Sequence, residues 1–285
     1  MLYLLLSIIF SVTVGIIFKV ARRYEVNITQ IVAWNYVFAI LLCYQAFNPD
    51  LTAVNQNAAW IIYLPLAILL PTIFLFLAAS IKHMGIVKTD AAQRLSLFIP
   101  ILAAYFLFKE DFNNLKFIGL AVGFPAIALI LYKKQTNESN KWILPAVVLA
   151  GFGVIDILFK QIALHTSLPY TTSLFVIFCC AFVVALGIVL YRIIIKKDRL
   201  KSINLLFGAL VGCFNFGNIL FYLKAHKAFA ENPSTVFAAM NIGVIVLGSF
   251  AGIFLFKEKL SRWNYAGIVL ALAAISLITL SQIYV

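Results

Sequence analysis

Ten apolar runs of about 20 residues follow one another along this chain, divided by short polar linkers, and that rhythm leaves few folds open. They occupy residues 2–21, 29–47, 59–81, 86–108, 115–132, 142–164, 170–195, 203–224, 233–256 and 263–284. A helix of this length crosses a hydrocarbon core ~30 Å thick. Lipid gives the backbone no hydrogen-bond partners, so a spanning segment is either a helix or a strand of a closed barrel. Barrel strands alternate in polarity over ~10 residues, whereas these runs are apolar on every side. The chain is 64% hydrophobic and 11% charged, against about 25% charged residues in a soluble domain, which is too little polar surface to cover a globule in water. No linker is long enough to hold a soluble domain. The expected fold class is an all-α integral membrane protein with ten transmembrane helices, embedded in the lipid bilayer. In the first run the positive residues Lys19, Arg22 and Arg23 follow the apolar stretch, the reverse of a cleavable leader, so it reads as a retained helix.

The net charge of +12 does not point to nucleic acid, because Lys and Arg are scattered over many linkers instead of forming one basic face. They act as topology signals. The linkers after runs one, three, five, seven and nine carry most of them, including Arg22, Arg23, Lys82, Lys133, Lys134, Lys141, Lys196, Lys197, Arg199, Lys201, Lys257, Lys259 and Arg262. The positive-inside rule makes that side cytoplasmic, in a multi-pass protein of the cell (inner) membrane with both termini outside. Cys43, Cys179, Cys180 and Cys213 lie within apolar runs without metal-ligand spacing and are expected as small packing residues.

The pentapeptide FLFKE ends a run twice, at 106–110 and 254–258, an offset of 148 residues. At that offset Gly119 falls on Gly267, Ala126 on Ala274, Ile127 on Ile275 and Ile130 on Ile278. Earlier in each half, IFKVA (17–21) resembles LFKQIA (158–163), which sets Lys19 opposite Lys160. The simplest account is two five-helix repeats, 1–135 and 140–285. A unit with an odd number of spans ends on the face opposite to its start, so the second copy is inverted, the common architecture of secondary transporters. The Lys-Glu pairs are expected at helix corners, Lys109 and Lys257 reaching to headgroups and Glu110 and Glu258 facing the positive end of the next helix.

These features resemble the drug/metabolite transporter superfamily, and most closely its EamA-like transporters. SLFIPILAAYFLFKEDFNNLKFIGLAVGF (96–124) looks like that family's fourth and fifth helices, and NPSTVFAAMNIGVIVLGSFAGIFLFKEKLSRWNYAGIVLAL (232–272) like its ninth and tenth. The resemblance implies a secondary transporter, an exporter of small organic metabolites such as amino acids, working by alternating access. Many members of the superfamily carry both termini in the cytoplasm, whereas the charge distribution of this chain places both outside.

Ionisable groups inside a span face the bundle interior or a water-filled cavity. Asp156 and Lys160, in GVIDILFK, are four residues apart and share one helix face. They are candidates for substrate binding and for coupling to a proton; a structural ion pair is the alternative. Gln93 and Arg94 stand at the start of the fourth run, where Arg94 can grip a carboxylate or serve as an interfacial anchor. Asn215 and Asn218 are three apart on the eighth run, Asn241 lies opposite Gln93 at the 148 offset, and Asn35 sits between Trp34 and Tyr36. These amides can read a polar substrate or bind helices to each other. Gly119/Gly123, Gly208/Gly212 and Gly248/Gly252 have the spacing of close helix contacts.

Other functions fit less well. His83, His165 and His226 fall in different linkers, without the HExxH spacing of a zinc enzyme. There is no GxSxG nucleophile motif, no nucleotide site and no cofactor motif, so the chain does not read as an enzyme. No ring of like charges marks a channel. A non-transporting scaffold or receptor remains the alternative to a transporter of a small-molecule metabolite.

Overall fold

The computed structural model describes residues 1–285 apart from 22, 53, 55–57, 97, 108, 110–111, 132–142, 166–167, 258–260 and 282–285. Within the helices, the backbone but not the side chains of 78, 81–82, 84–91, 94–95, 98, 127, 130–131, 164–165, 233–234, 256, 264 and 279 is described. Glu110, Glu258 and the side chain of Arg94 therefore lie outside the described residues.

The described residues form ten helices and no strand: α1 Leu2–Ala21, α2 Ile28–Phe47, α3 Trp60–Leu95, α4 Phe98–Phe106, α5 Asn114–Leu131, α6 Ile143–His165, α7 Tyr170–Lys196, α8 Ser202–Ala228, α9 Pro233–Phe256 and α10 Arg262–Leu280. Seven described stretches are long and apolar enough to cross a membrane, in α1, α2, α3 (Trp60–Leu77), α6, α7, α8 and α9, and shorter apolar helices cover Asn114–Ala126 and Tyr265–Ile278.

One boundary departs from the sequence reading. The linker expected near 82–85 is helical, and α3 runs on for 36 residues to Leu95. The stretch after Leu77 is rich in Ala, Lys, Gln and Arg, and its single Gly85 costs a helix only about 1 kcal/mol. The break comes after Leu95 instead, at Ser96. Pro100 has no N–H for the Ser96 carbonyl, which accepts from the Ile99 N–H at 3.0 Å, while the Ser96 hydroxyl donates back to the Gln93 carbonyl at 2.6 Å. Gln93 and Arg94 consequently belong to the end of α3 and not to the start of the fourth helix.

Neighbouring contacts fix how the helices run. Cys43 Sγ, near the end of α2, donates to the Thr171 carbonyl at the start of α7 (3.6 Å), and the Tyr36 and Phe178 rings meet further along, so α2 and α7 are antiparallel. α5 and α10 are antiparallel too: Asn113 Nδ2 donates to the Ser281 carbonyl (2.9 Å), and Gly119 and Gly123 rest on Ile278 and Ala274. α2 and α8 run parallel, with Gln30 beside Asn204 and Asn35 beside Asn215. Here the backbones nearly touch: a Cβ at Gly212 would lie 2.7 Å from the Asn35 carbonyl oxygen, and one at Gly208 would collide with Trp34 Cβ. The expected close contacts at Gly119/Gly123 and Gly208/Gly212 are therefore present, but Gly248 faces open space.

Linkers gather at two opposite ends. At one end the α1–α2 and α7–α8 linkers are joined by side chains. Asp198 accepts from Arg192 Nε (2.7 Å) and from Asn27 Nδ2 (2.8 Å). Asn204 Nδ2 donates to Gln30 Oε1 (2.7 Å), Gln30 Nε2 to the Arg199 carbonyl (2.9 Å), and Lys201 Nζ to Glu25 (3.1 Å). At the other end Lys116, buried at the start of α5, donates to Asn232 Oδ1 (3.0 Å) and lies 5.0 Å from the Phe112 ring centre. Lys224 sits over Tyr3, and Lys227 over Tyr170.

Four non-glycine residues have positive φ: Asn48 (39°), Lys109 (49°), Lys197 (56°) and Lys257 (52°). Asn48, Lys197 and Lys257 cap α2, α7 and α9, and Lys109 lies three residues beyond α4. Both lysines of the repeated pentapeptide thus take the left-handed conformation that turns a chain out of a helix.

Candidate functional site

Asp156 lies in the middle of α6, a span 23 residues long, and is partly exposed. Tyr222 of α8 donates its hydroxyl to Asp156 Oδ1 at 3.1 Å. One helical turn further along each helix come Lys160 and His226, four residues beyond Asp156 and Tyr222, so each pair shares a face. Lys160 is 2% exposed and lies within electrostatic reach of His226, which is 0% exposed. The spacing sets out a two-rung ladder between α6 and α8, with Asp156 and Tyr222 hydrogen-bonded on one rung and Lys160 and His226 at the level of the next, one turn along their own helices. The aromatic setting is tight: Phe159 meets Tyr222 edge-on, and His226 lies between Tyr222 (4.6 Å between ring centres) and Phe237 of α9 (4.8 Å).

His226 corrects the sequence reading, which left it in a linker. The cations Lys224 and Lys227 made FYLKAHK look like an exit from the membrane. α8 instead continues to Ala228 with both lysines turned to rings at its end, while His226 faces inward. The four-residue spacing of Tyr222 and His226 was the available signal. His83 likewise falls inside α3, and His165 closes α6.

The other candidates divide among separate junctions. Asn215 Nδ2 donates to Asn35 Oδ1 at 3.0 Å, a buried pair between α8 and α2. Beside it Tyr36 is fully buried, and its hydroxyl has no hydrogen-bond partner among the described residues. Asn218 turns to α1, where Ser7 Oγ donates to its Oδ1 at 2.8 Å; Ser7, absent from the sequence candidates, also approaches Met240 Sδ (3.4 Å). Asn215 and Asn218 therefore serve different neighbours despite their spacing. Asn241 donates to the Phe237 carbonyl of its own helix (3.0 Å). Gln93 is partly buried at the end of α3, away from the ladder in sequence and engaged through its carbonyl with Ser96. Among the described residues a shallow surface dent, too small to enclose a water molecule, lies between α2, α3 and α7, lined by Thr29, Val32, Pro71, Leu75, Ala185 and Ile188, and none of the candidates borders it. No cluster of metal-ligating residues occurs among the described residues.

Comparison with known proteins gives the context for this arrangement. The EamA-like transporter family model matches residues 1–132. An uncharacterized protein of Haemophilus influenzae is 39% identical over 282 residues, covering 95% of each chain. A protein of known crystal structure superposes with a TM-score of 0.74 over 98% of this chain and 96% of its own, at 15% identity, which is a likeness of fold.

Proposed function

The chain belongs to the EamA-like transporter family of multi-pass membrane proteins, and from that premise we propose that it is a secondary exporter of small organic metabolites such as amino acids, working by alternating access. The observation that carries this reading is the ladder. A carboxylate and an ammonium on one face of a span, met by a phenol and an imidazole from the facing helix, form a strongly polar site inside a bundle where such groups are costly unless used. Opposite charges one turn apart suit a molecule that itself carries both signs.

Alternating access calls for two halves of similar energy. Two inverted repeats, 1–135 and 140–285, supply them in this proposal. The pairing of α2 with α7 and of α5 with α10 supports it, because in both pairs the counterparts run antiparallel, as inverted copies must. The packing of α1 on α8 and of α6 on α3 is also what a two-fold exchange of the halves requires. The linker grouping is compatible with a cytoplasmic side formed by the α1–α2 and α7–α8 linkers, in the cell inner membrane with both termini outside. Asp156 is the proposed carrier of a coupling proton. Lys160, Asn35, Asn215, Asn218, Asn241, Gln93 and Arg94 are proposed to contact substrate at some stage of the cycle.

The test is ligand-induced thermal stabilisation of the purified protein, followed by counterflow in proteoliposomes. A ligand that binds only the folded state raises the melting temperature by mass action. Amino acids that stabilise wild type but not Asp156→Asn, and that exchange across the bilayer, are the expected outcome. Binding without counterflow would favour a receptor, and stabilisation by no compound would remove this site.

A further inference from the structure

We propose that His226 contacts the transported molecule directly and reads its acid group, making it the residue that sets the requirement for a carboxylate. This rests on the transporter reading above and assigns a role within that site.

His226 is 0% exposed, and neither of its ring nitrogens has a hydrogen-bond partner among the described residues. A neutral imidazole offers one donor and one acceptor. Native structures rarely leave buried groups of this kind unmatched, and those that do so call for a ligand, a water or a function. The ring is fixed between Tyr222 and Phe237, so its nitrogens remain at the α6–α8–α9 junction. Lys160 stands on the same rung.

The chemistry of the rung follows. An imidazole N–H and a nearby ammonium are both donors and together suit one oxyanion, with the charge-assisted bonds that make such contacts strong. The neighbouring rung has the opposite character, with the Asp156 carboxylate held by the Tyr222 hydroxyl. Four residues of helix separate the rungs, about 6 Å. A molecule carrying a carboxylate and an amine within that span fits acid group to His226 and Lys160, and amine to Asp156. Phe159 and Phe237 give the ladder apolar walls. Neither Tyr222 nor Phe237 offers the imidazole a charge, whereas Lys160 lies within electrostatic reach of it.

The experiment uses the full-length protein in detergent, with the L-amino acids that bind wild type and, for each, its carboxamide, which keeps the amine and loses the acid charge. Titration calorimetry gives affinities for wild type, His226→Phe and His226→Gln. His226→Phe keeps a ring between Tyr222 and Phe237 while removing both nitrogens, and a monodisperse gel-filtration peak checks its fold. Wild type should prefer acid over carboxamide by at least about tenfold, the effect of one charge-assisted hydrogen bond. His226→Phe should lose that preference by weakening the acid alone, and His226→Gln, which restores an N–H donor, should recover part of it. An undiminished preference in both variants overturns the role of His226 and leaves the transporter reading standing. Should His226→Phe not fold, an unchanged preference in His226→Gln, whose amide cannot reproduce the imidazole geometry, overturns it equally. Wild type that binds no amino acid overturns both readings together.

Discussion

α4 and α9 both end within the repeated pentapeptide, at Phe106 and at Phe256, yet the two helices are unlike. α9 runs unbroken for 24 residues into Phe-Leu-Phe-Lys, whereas the counterpart stretch is shared between the end of α3 and the nine-residue α4. The backbone at the two lysines agrees because it is local: Lys109 and Lys257 have φ of 49° and 52°, although Lys257 caps α9 directly and Lys109 lies three residues beyond α4. The helices differ for two reasons. α8 begins 142 residues after α3, while α10 begins 148 after α5, so the first half is six residues shorter in between, and the turn formed by Phe229–Asn232 has no room there. Then Pro100 stands where α9 has Gly248, and it moves the break to Ser96. A sequence repeated in both halves keeps the left-handed lysine, and a single proline decides where a helix stops.

The largest predicted effect tests that last point. Gly248→Pro gives α9 the proline of its counterpart in the middle of an intact helix, and should cost ~3 kcal/mol or more through a lost hydrogen bond and a steric clash. Pro100→Ala should change stability by only about 1 kcal/mol, because Pro100 occupies the first turn of α4, where the missing N–H matters little. Thermal unfolding in detergent measures both, and equal costs would remove proline as the cause of the asymmetry. Next in size are two glycines of similar motif and different setting. Gly212→Ala drives a Cβ against the Asn35 carbonyl and should cost about 1–3 kcal/mol. Gly248→Ala meets nothing and should be neutral or stabilising by up to ~1 kcal/mol. A destabilised Gly248→Ala would mean that this face of α9 is packed.

Much of this was legible beforehand. Hydropathy located nine of the ten helix starts closely, because lipid requires length and apolarity and little else. The α3–α4 boundary was not legible: Lys82 and His83 looked like a linker, and nothing in composition says that a helix will carry charge past a single glycine. The Asp156–Lys160 pair could be read from its spacing. Its partners could not, since Tyr222 and His226 become neighbours of α6 only through the parallel stacking of α8 on α2 and α6. Asn215 and Asn218 show the limit of helical spacing. Residues three apart share a face only broadly, and the choice between α2 and α1 was made by Gly212 and Gly217, which bring those two helices close.

A smaller effect probes the two left-handed lysines. A non-glycine residue at positive φ carries a steric cost of roughly 1–2 kcal/mol that glycine does not. Lys109→Gly and Lys257→Gly should therefore each stabilise the protein by about 1 kcal/mol, and by similar amounts. A gain at one and a loss at the other would show that the two lysines, alike in backbone, differ in what their side chains hold.

The smallest effect compares two aspartates 148 residues apart, Asp50 after α2 and Asp198 after α7. Asp50 accepts from the N–H and hydroxyl of Thr52, two residues on, in a local turn. Asp198 accepts from Arg192 and from Asn27 across the joined linkers, and those hydrogen bonds, the one from Arg192 foremost, hold its carboxyl below the usual carboxylate range. A depressed native pKa contributes stability that is complete above the unfolded value of about 3.9 and is lost as pH falls through the native one. Asp198→Asn should therefore lower Tm at neutral pH, and the wild-type and variant curves should converge as pH falls below about 4. Asp50→Asn should change Tm less, because removing it leaves both linkers where they are. A gap between wild type and Asp198→Asn that persists unchanged at pH 3 would show that the contact acts through shape instead of charge. In that case the polar clamp between the α1–α2 and α7–α8 linkers would belong with the packing that both halves share, and charge would not distinguish them.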